Sequence, residues 1–178
     1  MASIITATTT SGLTQSADNS GVLQLASGTG NLVTVPSVTG TAMVSGNMPA
    51  FSAYTNTTQA ISAAATTKIN FTAELFDTNN NYASSRFTPT VAGYYQLTTG
   101  IVTNASNFSD LYIYKNGSLY QRLYGNYPSA NYYAYGTCLI YLNGTTDYAE
   151  VYVYSSGSVT VASDQAACYF SGVMVRSA

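Results

Sequence analysis

The side chains that could perform chemistry are few in this chain, and its glutamates come first. Glu74 and Glu150 are the only two. A retaining glycosidase needs two carboxylates about 5 Å apart, one acting as acid and the other as nucleophile. Both residues alternate with apolar neighbours, so each points away from the apolar side of its strand. That placement favours a solvated or interface position for each glutamate. The sequence therefore predicts no catalytic pair and no enzyme activity.

The oxygen-rich run Asp77–Asn81 is a second candidate. Its carboxylate and amide side chains occupy the first, third and fifth positions, as in an EF-hand calcium loop. The sixth position is Tyr82 rather than glycine, and the twelfth is Thr88 rather than glutamate. These differences exclude an EF-hand. An asparagine-rich turn is the favoured interpretation. A calcium ion held between loops stays open as the alternative, and we expect no cofactor.

Histidine is absent from the 178 residues. Ser-His-Asp triads, Cys-His nucleophiles and histidine-ligated metals are thus excluded within one chain. The two cysteines, Cys138 and Cys168, are too few for a structural zinc site, which needs four ligands. A disulfide between them stays open. Because the N-terminus has no basic segment followed by a long apolar one, we expect no secretory signal and favour buried thiols.

The chain carries little charge. Charged residues make up 7% of it, and five Lys and Arg against seven Asp and Glu give a net charge of -2. The chain therefore lacks the basic surface that nucleic-acid-binding proteins use. No apolar run approaches the roughly 20 residues that cross a bilayer, so we expect no membrane insertion. Serine, threonine and 17 tyrosines take the place of charges, a composition typical of β-structure.

Strands must position these side chains. From Met48 onward apolar residues fall on alternate positions, so each run has one core-facing side. Asn116–Gly117 and Asn143–Gly144 lie between runs and are typical of type I′ hairpin turns. The pattern predicts an all-β sandwich or barrel. The predicted core-facing residues are Ile69, Phe71, Ala73 and Leu75; Tyr95, Leu97, Thr99 and Ile101; Cys138, Ile140 and Leu142; Ala149, Val151 and Val153; and Cys168, Phe170, Gly172 and Met174.

Residues 1–47 differ from the rest, because they contain no aromatic residue and only one ionisable side chain, Asp18. Two short alternating runs, Val22–Leu25 and Leu32–Val35, predict strands separated by the glycine-rich loop Ser27–Gly30. Without bulky side chains to fill a core, the segment is predicted to be an anchoring and trimer-intertwining arm rather than a domain. A disordered linker is the alternative. The predicted anchor residues are Leu23, Leu25, Val33 and Val35.

Residues 48–178 resemble a C1q-like domain in the order and spacing of several short motifs. Arg86–Pro89 followed by Ala92–Tyr95 is similar to that family's F-x-x-P…G-Y-Y signature, and Tyr114–Gly117 is similar to its K-N-G hairpin. Phe170–Val175 resembles the closing F-S-G-F-L-L strand, with Val173 in place of the aromatic residue. The resemblance implies an antiparallel jelly roll of the C1q/tumour-necrosis-factor-like type, which assembles as a tight homotrimer.

The Gly-, Ser- and Thr-rich arm resembles the arms of bacteriophage structural proteins. We therefore expect a virion protein made in the host cytoplasm: a fibre or appendage whose residues 1–47 bind other virion proteins. Its head, residues 48–178, would contact a host-surface glycan or protein. Two alternatives stay open, a capsid decoration or head-fibre protein that binds no receptor and a secreted C1q-like lectin or ligand. A capsule depolymerase is disfavoured because carboxylates are scarce.

The tyrosines supply the remaining candidate surface. Tyr148, Tyr152 and Tyr154 alternate with core-facing residues and so face the other side of their strand. With Tyr112 and Tyr114 they form a second face that is too aromatic for a lone soluble domain. Burial against neighbouring subunits is the favoured explanation, because a buried tyrosine hydroxyl can still find a partner. Sugar stacking on a receptor is the alternative.

Overall fold

The structure is a computed structural model that describes residues 23–26, 32–35, 46, 48–104, 107–125 and 132–178. The chain divides into two compact units, residues 1–41 and 42–178. Fifteen strands, β1–β15 in chain order, lie within the described residues. No helix among those residues is long and apolar enough to cross a membrane. The all-β prediction is confirmed.

The smaller unit contains the first two strands, β1 (Leu23–Ala26) and β2 (Leu32–Val35). They pair antiparallel, with Leu23 opposite Val35 and Leu25 opposite Val33. Both strands predicted in the arm are therefore present. The predicted glycine-rich loop and the contacts of the four anchor side chains lie outside the described residues, and the anchor role stays a prediction.

The larger unit is built from the other thirteen strands described. Their bounds are β3 (Ala50–Tyr54), β4 (Gln59–Ile61), β5 (Ala65–Lys68), β6 (Ala73–Asp77), β7 (Tyr82–Ala83), β8 (Arg86–Phe87), β9 (Gly93–Thr103), β10 (Phe108–Lys115), β11 (Ser118–Gly125), β12 (Tyr132–Leu142), β13 (Ala149–Ser155), β14 (Val159–Val161) and β15 (Tyr169–Ser177).

These strands form two antiparallel sheets. Sheet I has the order β11-β10-β13-β8-β7, with β5 also paired to β13. Sheet II has the order β4-β14-β9-β15-β3-β6, with β12 also paired to β9. The chain passes between the sheets repeatedly, since β9 and β12 belong to sheet II while β10 and β13 belong to sheet I. Each sheet thus has one face toward the other sheet and one face outward.

The core lies between the two sheets. Phe51 of β3 stacks on Phe87 of β8, with ring centroids 4.4 Å apart, and on Tyr82 of β7 at 5.0 Å. These contacts join sheet II to sheet I. The predicted core-facing residues of β9, β12, β13 and β15 are buried except Gly172, which is half-buried. Burying a large apolar side chain stabilises the fold by about 1.5–3 kcal/mol.

One predicted run departs from simple alternation. Ile69 and Phe71 are buried as predicted, but Ala73 is half-buried and Leu75 is exposed. The cause is a register shift between β3 and β6 that leaves Leu75 without a pairing partner. Such a bulge inserts an extra residue and reverses the side-chain direction beyond it. Because β6 is also an edge strand, no neighbour covers Leu75, and its predicted core position is wrong.

The two Asn-Gly pairs have different roles. Asn116 and Gly117 have φ of 53° and 77° and connect β10 to its partner β11, as a type I′ hairpin requires. Asn143 and Gly144 instead connect β12 in sheet II to β13 in sheet I, and only Gly144 has a positive φ, 71°. The second hairpin prediction is therefore wrong. There the Asn143 side-chain oxygen accepts successive backbone N–H groups and holds a loop between the layers.

Candidate functional site

The five tyrosines singled out from the sequence come together on the outward face of sheet I. Tyr112 lies opposite Tyr152 across β10 and β13. The Tyr114 ring stacks on that of Tyr152, with centroids 4.2 Å apart, and meets Tyr112 edge-on at 6.2 Å. Tyr112 is buried within the chain itself, while Tyr114, Tyr148, Tyr152 and Tyr154 are half-buried. Their role at a subunit interface stays a prediction.

A buried carboxylate lies among these tyrosines. Glu150 is only 2% exposed, and its Oε1 accepts hydrogen bonds from Lys68 Nζ and Arg86 Nε, each at 2.8 Å. Burial opposes its ionisation, but the two cations outweigh burial and hold the pKa of Glu150 below its usual value. The Tyr152 hydroxyl donates to its Oε2 at 3.3 Å, and the Arg86 guanidinium lies 3.8 Å from the centre of the Tyr148 ring. A solvated position for Glu150 is therefore wrong, and its predicted place at an interface stays a prediction.

Two further ion pairs involve strands of the same sheet. Asp110 pairs with Arg122 at 3.1 Å, and the Arg122 guanidinium lies 5.8 Å from the centre of the Tyr112 ring. At the hairpin end of β10, Lys115 pairs with Asp147 at 2.8 Å and lowers the pKa of that carboxyl. All four ion pairs found within the described residues thus involve sheet I. The charged groups on its outward face are therefore largely paired within the chain itself.

An open groove lies beside the buried carboxylate. Its volume is about 400 Å³. Two of its lining residues, Lys68 and Arg86, are the cations that share Glu150. The other polar lining residues belong to the turn and short strands that follow β6. They are Asn80, Asn81, Ser84 and Thr88.

The outward face of sheet II has a different character. Tyr94 and Tyr141 face each other across β9 and β12 with ring centroids 5.4 Å apart. Leu139, on the same face, is 56% exposed, and Tyr135, farther along β12, is 71% exposed. Val173 of β15 is 43% exposed and lies next to this row through its pairing with β9. These residues form one apolar surface, which we call the sheet II face.

Charge is sparse on the sheet II face, although Lys115 Nζ of β10 lies 5.6 Å from the centre of the Tyr141 ring. Among its described outward positions on β3, β9, β12 and β15, the one charged residue is Arg176, which pairs in register with Tyr94 at the sheet end.

A second exposed apolar site lies on β11, where Leu119 and Tyr120 are 56% and 45% exposed. The Tyr120 hydroxyl donates to the Leu139 carbonyl at 3.0 Å. The apolar surface therefore continues from β12 onto β11.

Solved structures identify the architecture. No protein-family model matches the sequence, and no curated protein is similar to it at a significant level. The globular domain of zebrafish complement 1qA protein aligns over 73% of this chain and 98% of its own, with a TM-score of 0.54 and 16% identity. Murine APRIL at pH 5.0 aligns over 72% and 99%, with a TM-score of 0.58 and 10% identity. Eiger TNF from S. frugiperda aligns over 74% and 93%, with a TM-score of 0.51 and 12% identity.

The fold is a C1q/TNF-like jelly roll. The fold implied by the motif resemblance is confirmed, and at these identities the likeness concerns the fold alone. Within this C1q/TNF-like sandwich, sequence reasoning missed the sheet II face. The signal was present in β12, where Cys138, Ile140 and Leu142 alternate with Leu139 and Tyr141, so that both sides of the strand are apolar. A strand apolar on both sides is typical of burial on both sides.

The remaining candidates for chemistry lie apart in the jelly roll. Glu74 is exposed on the edge strand of sheet II, whereas Glu150 is buried in the ion pairs of sheet I. Asp77 accepts the Tyr82 N–H at 2.7 Å and the Asn79 N–H at 3.3 Å, so its carboxylate holds the turn together. In the part of the chain that the structure describes, no three Cys, Asp or Glu side chains form a metal-ligand cluster.

Both cysteines are buried free thiols. Burial raises the pKa of Cys138 to about 11. Burial also raises the pKa of Cys168, whose sulfur accepts the Val102 N–H at 3.2 Å. Each thiol alternates with apolar core residues, as the sequence predicted, and neither has the charged surroundings that make a cysteine reactive.

Proposed function

We propose that this chain is a bacteriophage virion structural protein whose jelly-roll head assembles as a homotrimer through the sheet II face. One observation carries the proposal: the exposed Tyr94, Leu139, Tyr141 and Val173 form an apolar surface, and Arg176 is the one charged residue among the described outward positions of its strands β3, β9, β12 and β15. Aromatic enrichment and depletion of charge are the features that distinguish the core of a subunit interface from ordinary surface. Large apolar patches of this kind mark interaction sites.

Closed symmetry is the ordinary way to bury such a patch on identical chains. The exposed Leu119 and Tyr120 on β11 give each chain a second apolar site beside the sheet II face. A contact between different parts of the same surface is heterologous, and heterologous contacts close into a ring when the rotation fits. C1q and TNF-family domains are typically homotrimers, which supports a ring of three.

The arm supplies the reason for proposing a virion role. Residues 1–47 contain no aromatic residue, and their composition resembles that of phage structural arms. In this proposal the arm intertwines the trimer and fixes it to other virion proteins, while the head contacts a host-surface glycan or protein. Three copies of a weak site raise the apparent affinity without new contacts. The role is mechanical and adhesive and involves no enzymatic step, in keeping with the separation of Glu74 from Glu150.

Localisation on purified particles tests the virion role. Gold-labelled antibody against residues 48–178 should mark one kind of site on particles in electron micrographs, and the protein should sediment with them. An antibody blocked beforehand with free head protein is the control. Label on the capsid surface would favour a decoration or head-fibre protein. Protein found only in the culture medium, never on particles, would overturn the virion role and favour a secreted ligand.

A further inference from the structure

The groove beside Glu150 contains more positive charge than the sandwich neutralises. Lys68 and Arg86 both donate to the same oxygen of Glu150, so one carboxylate balances two cations. Lys68 Nζ also donates to the Ser84 carbonyl at 2.8 Å, which fixes it at the groove wall. The full chain has a net charge of -2. An unbalanced positive site on an acidic protein attracts an anion at this position rather than elsewhere.

Several polar groups of the groove have no partner among the described residues. Arg86 bonds to Glu150 through Nε, which leaves its terminal nitrogens without a hydrogen bond in that part of the chain. The same holds for the amide of Asn80 and the hydroxyl of Ser84, both of which are exposed. Arg86 is held in place from two sides, by the buried carboxylate and by the Tyr148 ring at 3.8 Å. A guanidinium held this way is preorganised to bind two oxygens of one anionic group.

We infer that this groove binds an acidic saccharide, with Arg86 and Lys68 holding a carboxylate, sulfate or phosphate group and Asn80 and Ser84 holding ring hydroxyls. The inference rests on the proposed attachment function and gives the host contact a chemical class. A groove of about 400 Å³ lies within the range of small-molecule sites. The lining contains Ala83 as its one apolar side chain, and it lacks the aromatic anchor that centres a protein interface.

Calorimetric titration of the full chain with tri-galacturonic acid tests the inference. We expect saturable binding that weakens as salt is added, because the contact involves exposed charges. Neutral galactotriose, which lacks the carboxylates, should bind at least about tenfold more weakly, since a charged hydrogen bond contributes about 1.5–3 kcal/mol. Sodium sulfate is the second comparison. If sulfate alone binds as tightly as the acidic trisaccharide, the site is a general anion site and the saccharide assignment is overturned.

Variants separate binding from folding. R86K keeps a positive charge beside Glu150 but removes the planar guanidinium, so affinity for tri-galacturonic acid should fall by about tenfold. N80G removes an amide at a position with φ of 52°, where glycine fits the backbone, and should weaken binding with little effect on stability. R122K lies on the same sheet outside the groove and is the matched control. Equal affinity of R86K, N80G and the unmodified chain would overturn the site.

The subunit count in the same samples distinguishes this inference from the proposed function. Sedimentation velocity should be measured on each titrated sample. A trimer that does not bind tri-galacturonic acid overturns the groove assignment and leaves the trimer standing. A monomer that binds it overturns the proposed trimer and leaves the groove assignment standing.

Discussion

Tyr94 and Tyr141 lie side by side on the outward face of sheet II, with their ring centroids 5.4 Å apart and about two-fifths of each residue exposed. The pair is held by the direct register of β9 with β12. Two aromatic rings kept in one place lose little side-chain entropy when a partner covers them. The same property makes tyrosine common at interface centres.

Glu150→Gln should lower the free energy of unfolding by about 2 kcal/mol at pH 7, because the charged hydrogen bonds from Lys68 and Arg86 are lost. The pKa of Glu150 is lowered in the folded state. Its contribution is therefore present above the unfolded pKa of about 4.3 and is lost as pH falls through the lower folded value. Urea unfolding at a series of pH values checks this.

The matched control is Glu74→Gln, since Glu74 is exposed and forms no ion pair within the described residues. It should leave stability nearly unchanged. A stability difference between the Glu150→Gln variant and the unmodified chain that stays constant down to pH 3 would show that the ion pairs do not act as described.

Gly144→Ala should destabilise the fold by about 3 kcal/mol, and Gly117→Ala by about 1 kcal/mol. Both glycines have a positive φ, 71° and 77°. An added Cβ at Gly144 would lie 2.3 Å from the Ala92 backbone nitrogen, whereas at Gly117 the nearest atom is the Tyr148 hydroxyl oxygen at 3.5 Å. Urea midpoints at unchanged m-value measure both costs. Equal costs would mean that the loop at Gly144 relaxes freely.

In native protein at pH 8, almost no thiol should react with a thiol reagent. In unfolded protein, about two thiols per chain should react. Cys138 and Cys168 are buried and free, and burial raises the pKa of Cys138 to about 11. The thiolate, which is the reactive form, is therefore scarce as well as covered. Timed titration with and without urea measures this. No reactive thiol in unreduced, unfolded protein would mean that the two cysteines form a disulfide.

The alternating strands of the core could be predicted from the sequence because each has one face toward the other sheet. Tyr95, Leu97 and Ile101 in β9 and Val151 and Val153 in β13 follow that pattern and are buried. A local pattern is sufficient there, since side-chain direction repeats every two residues.

Other features depend on residues that are distant in the chain. By strand alternation Glu150 points away from the core, as a solvated residue would. It is nevertheless buried, because Lys68 and Arg86 approach it from β5 and β8. By strand alternation Leu75 points toward the core, yet it is exposed because of a bulge on an edge strand. Neither the ion pairs nor the bulge leaves a signal in the residues beside it. Tertiary pairing decided both positions.

Deleting residues 1–47 should leave a folded, trimeric jelly roll that no longer joins particles. The head strands pair with one another, whereas Leu23, Leu25, Val33 and Val35 belong to the smaller unit, in which β1 pairs with β2. Melting temperature, sedimentation and incorporation into particles are compared with the full chain. A truncated head that unfolds would place the arm in the core and make the boundary at residue 48 wrong. Normal incorporation would overturn the anchor assignment.

Sedimentation of the Leu139→Glu variant tests the trimer most directly. The change places a charge in the centre of the sheet II face, so burying that face would leave the charge unpaired. The unmodified chain should sediment at micromolar concentration as about three chains, and the variant as a folded monomer. Thr145→Glu, which places the same charge at an exposed position in the loop between β12 and β13, should remain trimeric. An unmodified chain that is a soluble monomer, or a Leu139→Glu variant that remains a trimer, would contradict the account.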